Sequence, residues 1–569
     1  MPNTPVSEKS VEEEFYSSFP EGYKIGKTKY IIVIGSVMSG VGKGTFSSSL
    51  GMLLGCYGFN VAPIKFDGYL NYDAGTLNPY RHGEVFVLDD GTECDLDLGT
   101  YERCLNKSLT RDNYLTAGKI FKSVIDKERN GQYMGRDVQF IPHVTGEIKG
   151  LLRELAMKSD ADMVLVEVGG TVGDLESSYF IEAMRELRHE EGDSNFCAIN
   201  ITYILQPQYL GESKSKPAQL GTRKLMELGI RPDIVVCRSE KQIDTSIKEK
   251  ISLFSDVDVG KIYSLWDTRN IYEIPLMLKD MGMDNAVFDV LGLKPKSNGD
   301  TGLSKWREFT DKAKNADKEV VIGIVGKYTH VHDSYLSILK ALEHAAPYSG
   351  ARARVAWIES TDIEDRKIAV EDALKGVDGV IIPGGFGKRG VEGKIAAIRY
   401  AREKGLPFLG LCLGMQLAVV EFSRNACDLD GADSTEFNSG TKHPVIDFIP
   451  EQAELVKQSK YGGTMRRGAY TAILQAGTLA SRLYGSESIS ERHRHRYEVN
   501  PEYVGVLEKN GLVFSGRSPD GKLMEFLELK GHPFFIATQA HPELKSRPLN
   551  PAPLFRGLVE AALHKQDTR

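Results

Sequence analysis

A cysteine set between two glycines is the strongest chemical signal in the chain. Gly410-Leu411-Cys412-Leu413-Gly414 follows the apolar run Pro407–Leu411 and precedes an apolar helical stretch. Small flanking residues permit the strained strand-to-helix turn that lifts a nucleophile above a sheet. The N–H after the nucleophile can then meet a developing oxyanion. Pro383-Gly384-Gly385-Phe386-Gly387, a glycine turn ending another apolar run, is its natural partner. A thiol nucleophile needs a base. The run 534–539 leads into Ala540-His541-Pro542-Glu543, so His541 can deprotonate Cys412 while Glu543 orients the imidazole.

A second chemistry lies near the N-terminus. Tyr30–Ile34 runs into Gly35-Ser36-Val37-Met38-Ser39-Gly40-Val41-Gly42-Lys43-Gly44-Thr45, and a helical stretch Phe46–Cys56 follows. Glycines let backbone amides turn onto phosphate oxygens, and the helix N-terminus adds its dipole. The phosphate-loop pattern GxxxxGK[ST] asks for Gly where Val37 stands and Ser or Thr where Gly44 stands. A glycine turn without a ligand therefore competes with the nucleotide reading. Val61–Lys65 ends in Lys65-Phe66-Asp67, and Met163–Val166 ends in Glu167 and, further on, Asp174. Asp95-Leu96-Asp97-Leu98-Gly99 alternates acids with leucines, so as a strand it shows both acids on one face. Acids at strand ends sit where α/β enzymes bind ligands, and Mg²⁺ takes one or two carboxylates plus phosphate oxygens. Singly, each acid also suits a solvated or capping role.

The elements that must position these residues read as α/β. Val- and Ile-rich runs recur at Tyr30–Ile34, Met163–Val166, Ile199–Leu205, Asp233–Cys237, Val320–Val325, Gly379–Ile382 and Pro407–Leu411. They lack clean alternation, which fits parallel strands covered on both faces, and helical spacing fills the gaps between them. The chain of 569 residues exceeds a single domain of ~100–150 residues several times over. It therefore reads as two doubly wound domains with mainly parallel sheets. A polar tail covers residues 1–27, the first domain 28–293, a linker with a short helix around Trp306 294–318, and the second domain 319–565.

Hydrophobic residues at 41 % and charged residues at 26 % exclude a disordered or fibrous chain. Lys and Arg number 71 against 78 Asp and Glu, a net −7 that argues against a generic nucleic-acid binder. There is no apolar run of ~18 residues and no secretory signal. The seven cysteines form no CxxC pair. A reduced, cytoplasmic enzyme with no membrane partner is expected.

Residues 320–565 resemble a class I glutamine amidotransferase domain, which releases ammonia from glutamine through a thioester. More specifically, an ordered series of motifs is similar to the CTP synthase family over about residues 28–565. In the first half these are Ser39–Gly44, Lys65–Asn71, His82–Phe86, Asp95–Arg103, Glu167–Glu176 and Lys214–Gln219. In the second half they are Gly384–Gly393, Gly410–Gln416, Ser434–Phe437, Gly462–Met465, Arg492–Asn500 and His541–Glu543. The resemblance implies an N-terminal synthetase (amidoligase) domain that uses ATP to phosphorylate the 4-oxygen of UTP. Ammonia from glutamine then displaces the phosphate to give CTP.

By the same resemblance, Cys412, His541 and Glu543 form the catalytic triad. ATP is held by Gly40, Val41, Gly42, Lys43, Gly44, Thr45, Lys65 and Asp97, and Mg²⁺ by Asp97 and Glu167. UTP, or CTP as feedback inhibitor, falls to Ser39, Asp174, Leu175, Glu176, Lys214, Ser215, Lys216, Pro217, Ala218, Gln219 and Lys250. Glutamine falls to Gly385, Leu413, Gly414, Met415, Gln416, Glu436 and Arg496. His82 and Val85 match an ammonia-channel gate, and Phe386–Gly393 a lid linked to GTP activation. A homotetramer and filaments are implied as well. Ala218, Lys388 and Val41 depart from the residues common at their positions. Another amidotransferase-coupled synthase would share the Cys412 triad without needing Lys214–Gln219. A non-catalytic scaffold would be free to lose Cys412 or Lys43.

Overall fold

The computed structural model describes residues 19–78, 82–207, 212–327, 329–448 and 465–568. Two compact units make up the chain: Met1–Thr76 with Thr100–Arg307, and Leu77–Gly99 with Glu308–Arg569.

In the first unit seven strands form one parallel sheet: β1 (Lys29–Gly35), β2 (Val61–Asp67), β3 (Tyr114–Thr116), β4 (Met163–Val168), β5 (Phe196–Tyr203), β6 (Ile234–Ser239) and β7 (Ile262–Trp266). Their order is β3-β2-β4-β1-β5-β6-β7. Ile31, Ile32, Val33 and Ile34 of β1 are buried because β4 and β5 flank it and helices cover both faces. Each such side chain contributes about 1.5–3 kcal/mol. The chain winds one way from β1 through β2 and β3 and the other way through β5 to β7. Strand order thus reverses beside β1, where the loops at the carboxyl ends part and ligands bind in such folds.

The expected helix at 46–56 starts three residues earlier, as α1 (Lys43–Cys56), because Gly42 takes φ 91° and caps it. The strand expected across Asp95–Gly99 is absent: α2 runs over Leu96–Leu105. The Asp95 carboxylate accepts the Asp97 N–H at 3.0 Å, so the alternating acids mark a helix start rather than a strand. Part of the stretch read as a polar tail is docked on this unit. Phe19 lies 3.9 Å from the Arg153 guanidinium, and the Tyr23 and Tyr30 hydroxyls are hydrogen-bonded at 2.8 Å. The stretch read as a linker carries a sixteen-residue helix, Asp300–Asn315, whose Trp306 is buried and donates its N–H to the Tyr272 carbonyl at 2.7 Å.

The second unit holds a nine-stranded sheet. Its strands are β8 (Lys318–Gly326), β9 (Ala351–Glu359), β10 (Gly379–Ile382), β11 (Phe408–Leu411), β12 (Arg466–Leu474), β13 (Ser488–His495), β14 (Leu512–Arg517), β15 (Met524–Leu529) and β16 (Phe535–Thr538). The order is β9-β8-β10-β11-β16-β15-β14-β12-β13. The first five strands are parallel; the last four extend the sheet in antiparallel fashion, ending on β13 as an edge. A two-stranded ribbon, Phe86–Val87 with Glu93–Cys94, belongs to this unit although it precedes it by more than 200 residues in sequence. Among the described residues no helix is long and apolar enough to cross a membrane.

Candidate active site

β11 delivers Cys412 at φ 51° and ψ −99°, a strained conformation at the first turn of the helix Leu413–Ala426. Glycine is compelled on both sides. A Cβ on Gly414 would lie 2.2 Å from the Ile382 carbonyl oxygen, and one on Gly410 2.8 Å from the Ala537 Cβ. β16, parallel to β11, ends just before His541 and brings it over the thiol. His541 Nδ1 and Glu543 Oε1 are 2.7 Å apart, and Glu543 is buried. Burial alone would lower the imidazole pKa. The Glu543 carboxylate and the Cys412 side chain outweigh it and push His541 up to about 10.

Gly384 presses on this pair: a Cβ there would stand 2.8 Å from His541 Cε1. The imidazole is held by Glu543, so yielding to that Cβ would strain or break the 2.7 Å bond. Gly384→Ala should therefore cut glutamate release from glutamine about a hundredfold, the usual scale for an ångström of misplacement. A wild-type rate in that variant would show that the turn does not bear on the base.

Among the glutamine candidates, Leu413 and Met415 bury their side chains in the core, so only their backbone is available to a ligand. Gln416 turns its amide inward, donating to the Tyr497 carbonyl at 2.9 Å and to Gln539 Oε1 at 3.3 Å. Gln539 donates in turn to Cys412 Sγ at 3.6 Å. Sequence reasoning passed over Gln539, although its place two residues before His541 signals it. Glu436 accepts the Gly387 N–H at 2.9 Å; burial raises its pKa, while that N–H, Lys327 and Arg496 pull it back. Lys394, also passed over, lies buried near Gly385, and burial with Lys327 nearby pushes it down to about 7.

In the first unit the glycine-rich loop closes on its neighbours. Val37, where a phosphate loop has Gly, takes φ 79°, the conformation glycine would adopt without strain. Lys43 folds over Gly35 and donates to the Gly170 carbonyl at 2.7 Å; Val172 N–H donates to the Gly35 carbonyl at 2.9 Å. Helix α3 (Lys216–Glu227) reaches the loop through Gly221, where a Cβ would meet Ser36 at 2.7 Å. Ser39 and Gly40 are exposed in the loop, Val41 and Gly42 close it, and Lys43 to Thr45 open α1. Asp174 accepts the Thr171 N–H at 2.7 Å, and exposed Leu175 follows it. Glu176 packs on Gly68.

Lys214 pairs with Glu212, which also feels Lys250; Gln219 donates to Ser215 at 3.0 Å, and Ala218 is buried. Lys214 and Lys216 crowd the start of α3, whose first turn holds no acid. Pro217 occupies its first turn. At the end of β2, Lys65 meets Glu167 at 2.9 Å, and Tyr101 donates to the other Glu167 oxygen at 2.7 Å. Asp97 groups with the second unit and Glu167 with the first. Among the described residues no three His, Cys, Asp or Glu side chains cluster as a metal site. His82 and Val85 stand in the ribbon segment of the second unit. Gly462–Thr464 lie outside the described residues.

Residues 29–293 match the family described as CTP synthase N-terminus, and residues 330–561 match glutamine amidotransferase class-I. A CTP synthase of Thermococcus gammatolerans is 53% identical over 540 residues, which cover 95% of this chain and 99% of that protein. The chain belongs to the CTP synthase family. A CTP synthase of Methanococcus maripaludis is 52% identical over 543 residues, covering 94% of this chain and 100% of that protein. The solved glutaminase domain of Trypanosoma brucei CTPS with bound acivicin is 36% identical and covers 43% of this chain and 94% of that chain at a TM-score of 0.40. As a CTP synthase family member the chain is an enzyme, a carbon–nitrogen ligase with glutamine as amide donor. The CTP synthase N-terminal match includes residues 77–99, which the structure groups with the amidotransferase unit.

Proposed function

We propose that Cys412, His541 and Glu543 hydrolyse glutamine and that the ammonia aminates UTP activated by ATP in the other unit. The observation carrying this reading is the Cys412 elbow beside an imidazole held at 2.7 Å from Glu543. Cys412 Sγ bonds to the amide carbon, and the oxyanion takes backbone N–H groups of Gly385 and Leu413. His541, protonated at neutral pH because its pKa lies near 10, passes its proton to the departing ammonia. Water then cleaves the thioester, releasing glutamate. Arg496 and Glu436 suit the charged α-groups of glutamine.

In the first unit the glycine-loop amides and Lys43 hold ATP phosphates, and Lys65 steadies the transferred charge. Lys214 and Lys216, repelled by the N-terminal end of α3 when no anion is near, suit a nucleoside triphosphate. Ser39, Ser215, Gln219, Asp174, Glu176 and Lys250 complete that pocket for UTP or CTP. The carboxylate oxygens of Glu167 in this unit are hard donors that fit Mg²⁺. When bound, the ion would neutralise phosphate charge. GTP acts on the loop Phe386–Gly393, His82 and Val85 gate the ammonia, and the enzyme works in the cytoplasm as a tetramer that also forms filaments.

Incubation with UTP, ATP, Mg²⁺ and glutamine should yield CTP, and added CTP should raise the apparent KM for UTP. No CTP under these conditions would overturn the reading. Inhibition that persists at saturating UTP would place CTP at a separate site.

A further inference from the structure

The ribbon segment is fastened to β13, whose backbone carbonyls lie against His541 and Cys412. Asp89 accepts from Arg492 Nε at 2.6 Å, and Glu93 accepts from Arg494 Nε at 2.7 Å and from Arg467. Both arginines lie on β13, alternate with His493 and His495, and so share one face of the strand. Contact is close along the whole ribbon. The Asp89 carbonyl accepts the Ala469 N–H at 2.9 Å, and Gly468, at φ 98°, leaves no room for a Cβ, which would fall 2.7 Å from the Asp89 oxygen. Glu84 accepts the Ser337 N–H at 2.9 Å. The Glu93 side chain is 4 % exposed and that of Arg492 0 %.

Among the described residues β13 pairs only with β12, so one edge is free of sheet bonds. That free edge serves the triad. The Arg492 carbonyl accepts the His541 N–H at 2.7 Å, and the Arg494 carbonyl lies 3.9 Å from Cys412 Sγ. Each arginine thus grips a ribbon carboxylate with its side chain and a catalytic residue with its backbone. We infer that Asp89 and Glu93 are positioning residues for glutamine hydrolysis, acting through Arg492 and Arg494 on His541 and Cys412. The inference rests on the triad reading above. Removing Asp89 takes the carboxylate from the buried Arg492, which is strongly unfavourable, and removing Glu93 takes one carboxylate from the partly exposed Arg467 and Arg494 together. The arginine then moves to find another, and the strand edge moves with it.

The test uses the full chain carrying Glu93→Gln. Glutamine hydrolysis should lose about tenfold in kcat while KM for glutamine stays within about twofold, the mark of misplaced catalytic groups rather than lost binding. Alkylation of Cys412 by iodoacetamide, followed on its peptide by mass spectrometry, should slow in parallel. CTP formation from ammonium chloride should stay within about twofold of wild type, since that route bypasses the thiol. Glu93→Asp, which keeps the charge, should recover part of the loss. Asp89→Asn, at a more exposed carboxylate, carries the same test if Glu93→Gln fails to fold. Unchanged kcat and alkylation, a rise in KM alone, or an equal fall of the ammonia route would each overturn the inference. Cys412→Ala run alongside isolates the triad reading: glutamine hydrolysis surviving there would sink that reading instead.

Discussion

Cys412→Ala should lower CTP formation from glutamine by about 10⁴-fold or more, the scale of a lost nucleophile, and leave formation from added ammonium chloride near wild type. The side chain makes no bond that the fold depends on. Among the described residues its Sγ has as hydrogen-bond partners the Gln539 amide, the Arg494 carbonyl and the imidazole, while the backbone bond from Cys412 N–H to the Thr538 carbonyl survives. Alanine must still adopt φ 51°, at a cost of order 1–3 kcal/mol that the cysteine already bears. The elbow therefore stays folded, and only thioester chemistry is removed. Added ammonia is already the nucleophile, provided the medium is alkaline enough to keep part of it unprotonated. CTP would be followed by absorbance in both assays. Persistent glutamine-dependent synthesis would show another nucleophile. Loss of both routes in a folded protein would contradict two separate sites.

Lys43→Ala should remove both routes together. Its ammonium is the one cation carried by the glycine loop itself, buried to 8 % exposure and held against the Gly170 carbonyl. Both routes need uracil activated by ATP, and neither glutamine nor ammonia can supply that. Charge stabilisation on a transferring phosphoryl group is worth roughly 10²–10³-fold per donor, more where water is excluded. Glutamine hydrolysis, measured as glutamate release, should continue, since the triad belongs to the other unit. Near-normal CTP formation from ammonia in this variant would exclude Lys43 from phosphate binding.

Sequence legibility followed the range of the interactions involved. The seven buried runs from Tyr30–Ile34 to Pro407–Leu411 all fall on strands, because burial on both faces writes itself into local composition. The Cys412 elbow was equally readable, its glycines being forced by Ile382 and Ala537 within the same sheet. Asp95–Gly99 misled because period-two alternation also begins a helix whose first acid caps it. The antiparallel extension β15-β14-β12-β13 left no comparable trace. Its strands are half-polar and their pairing is fixed by partners far along the chain. Val37 broke the phosphate-loop pattern in letters while keeping its backbone shape. Gln539 and Lys394 matter only through what folding brings beside them.

The ribbon also constrains how the protein is made. Asp89 and Arg492 are separated by 403 residues, so the ribbon leaves the ribosome long before the strand that receives it. At about 5–20 residues per second the wait is roughly 20–80 s. Throughout that interval the first unit's chain passes out at Thr76 and back at Thr100 around a loop with nothing yet to dock on. The amidotransferase unit can therefore close only after nearly the whole polypeptide has been synthesised. A fragment cut at residue 307 would free the unit's later part without its ribbon, leaving Arg467, Arg492 and Arg494 bare of Asp89 and Glu93.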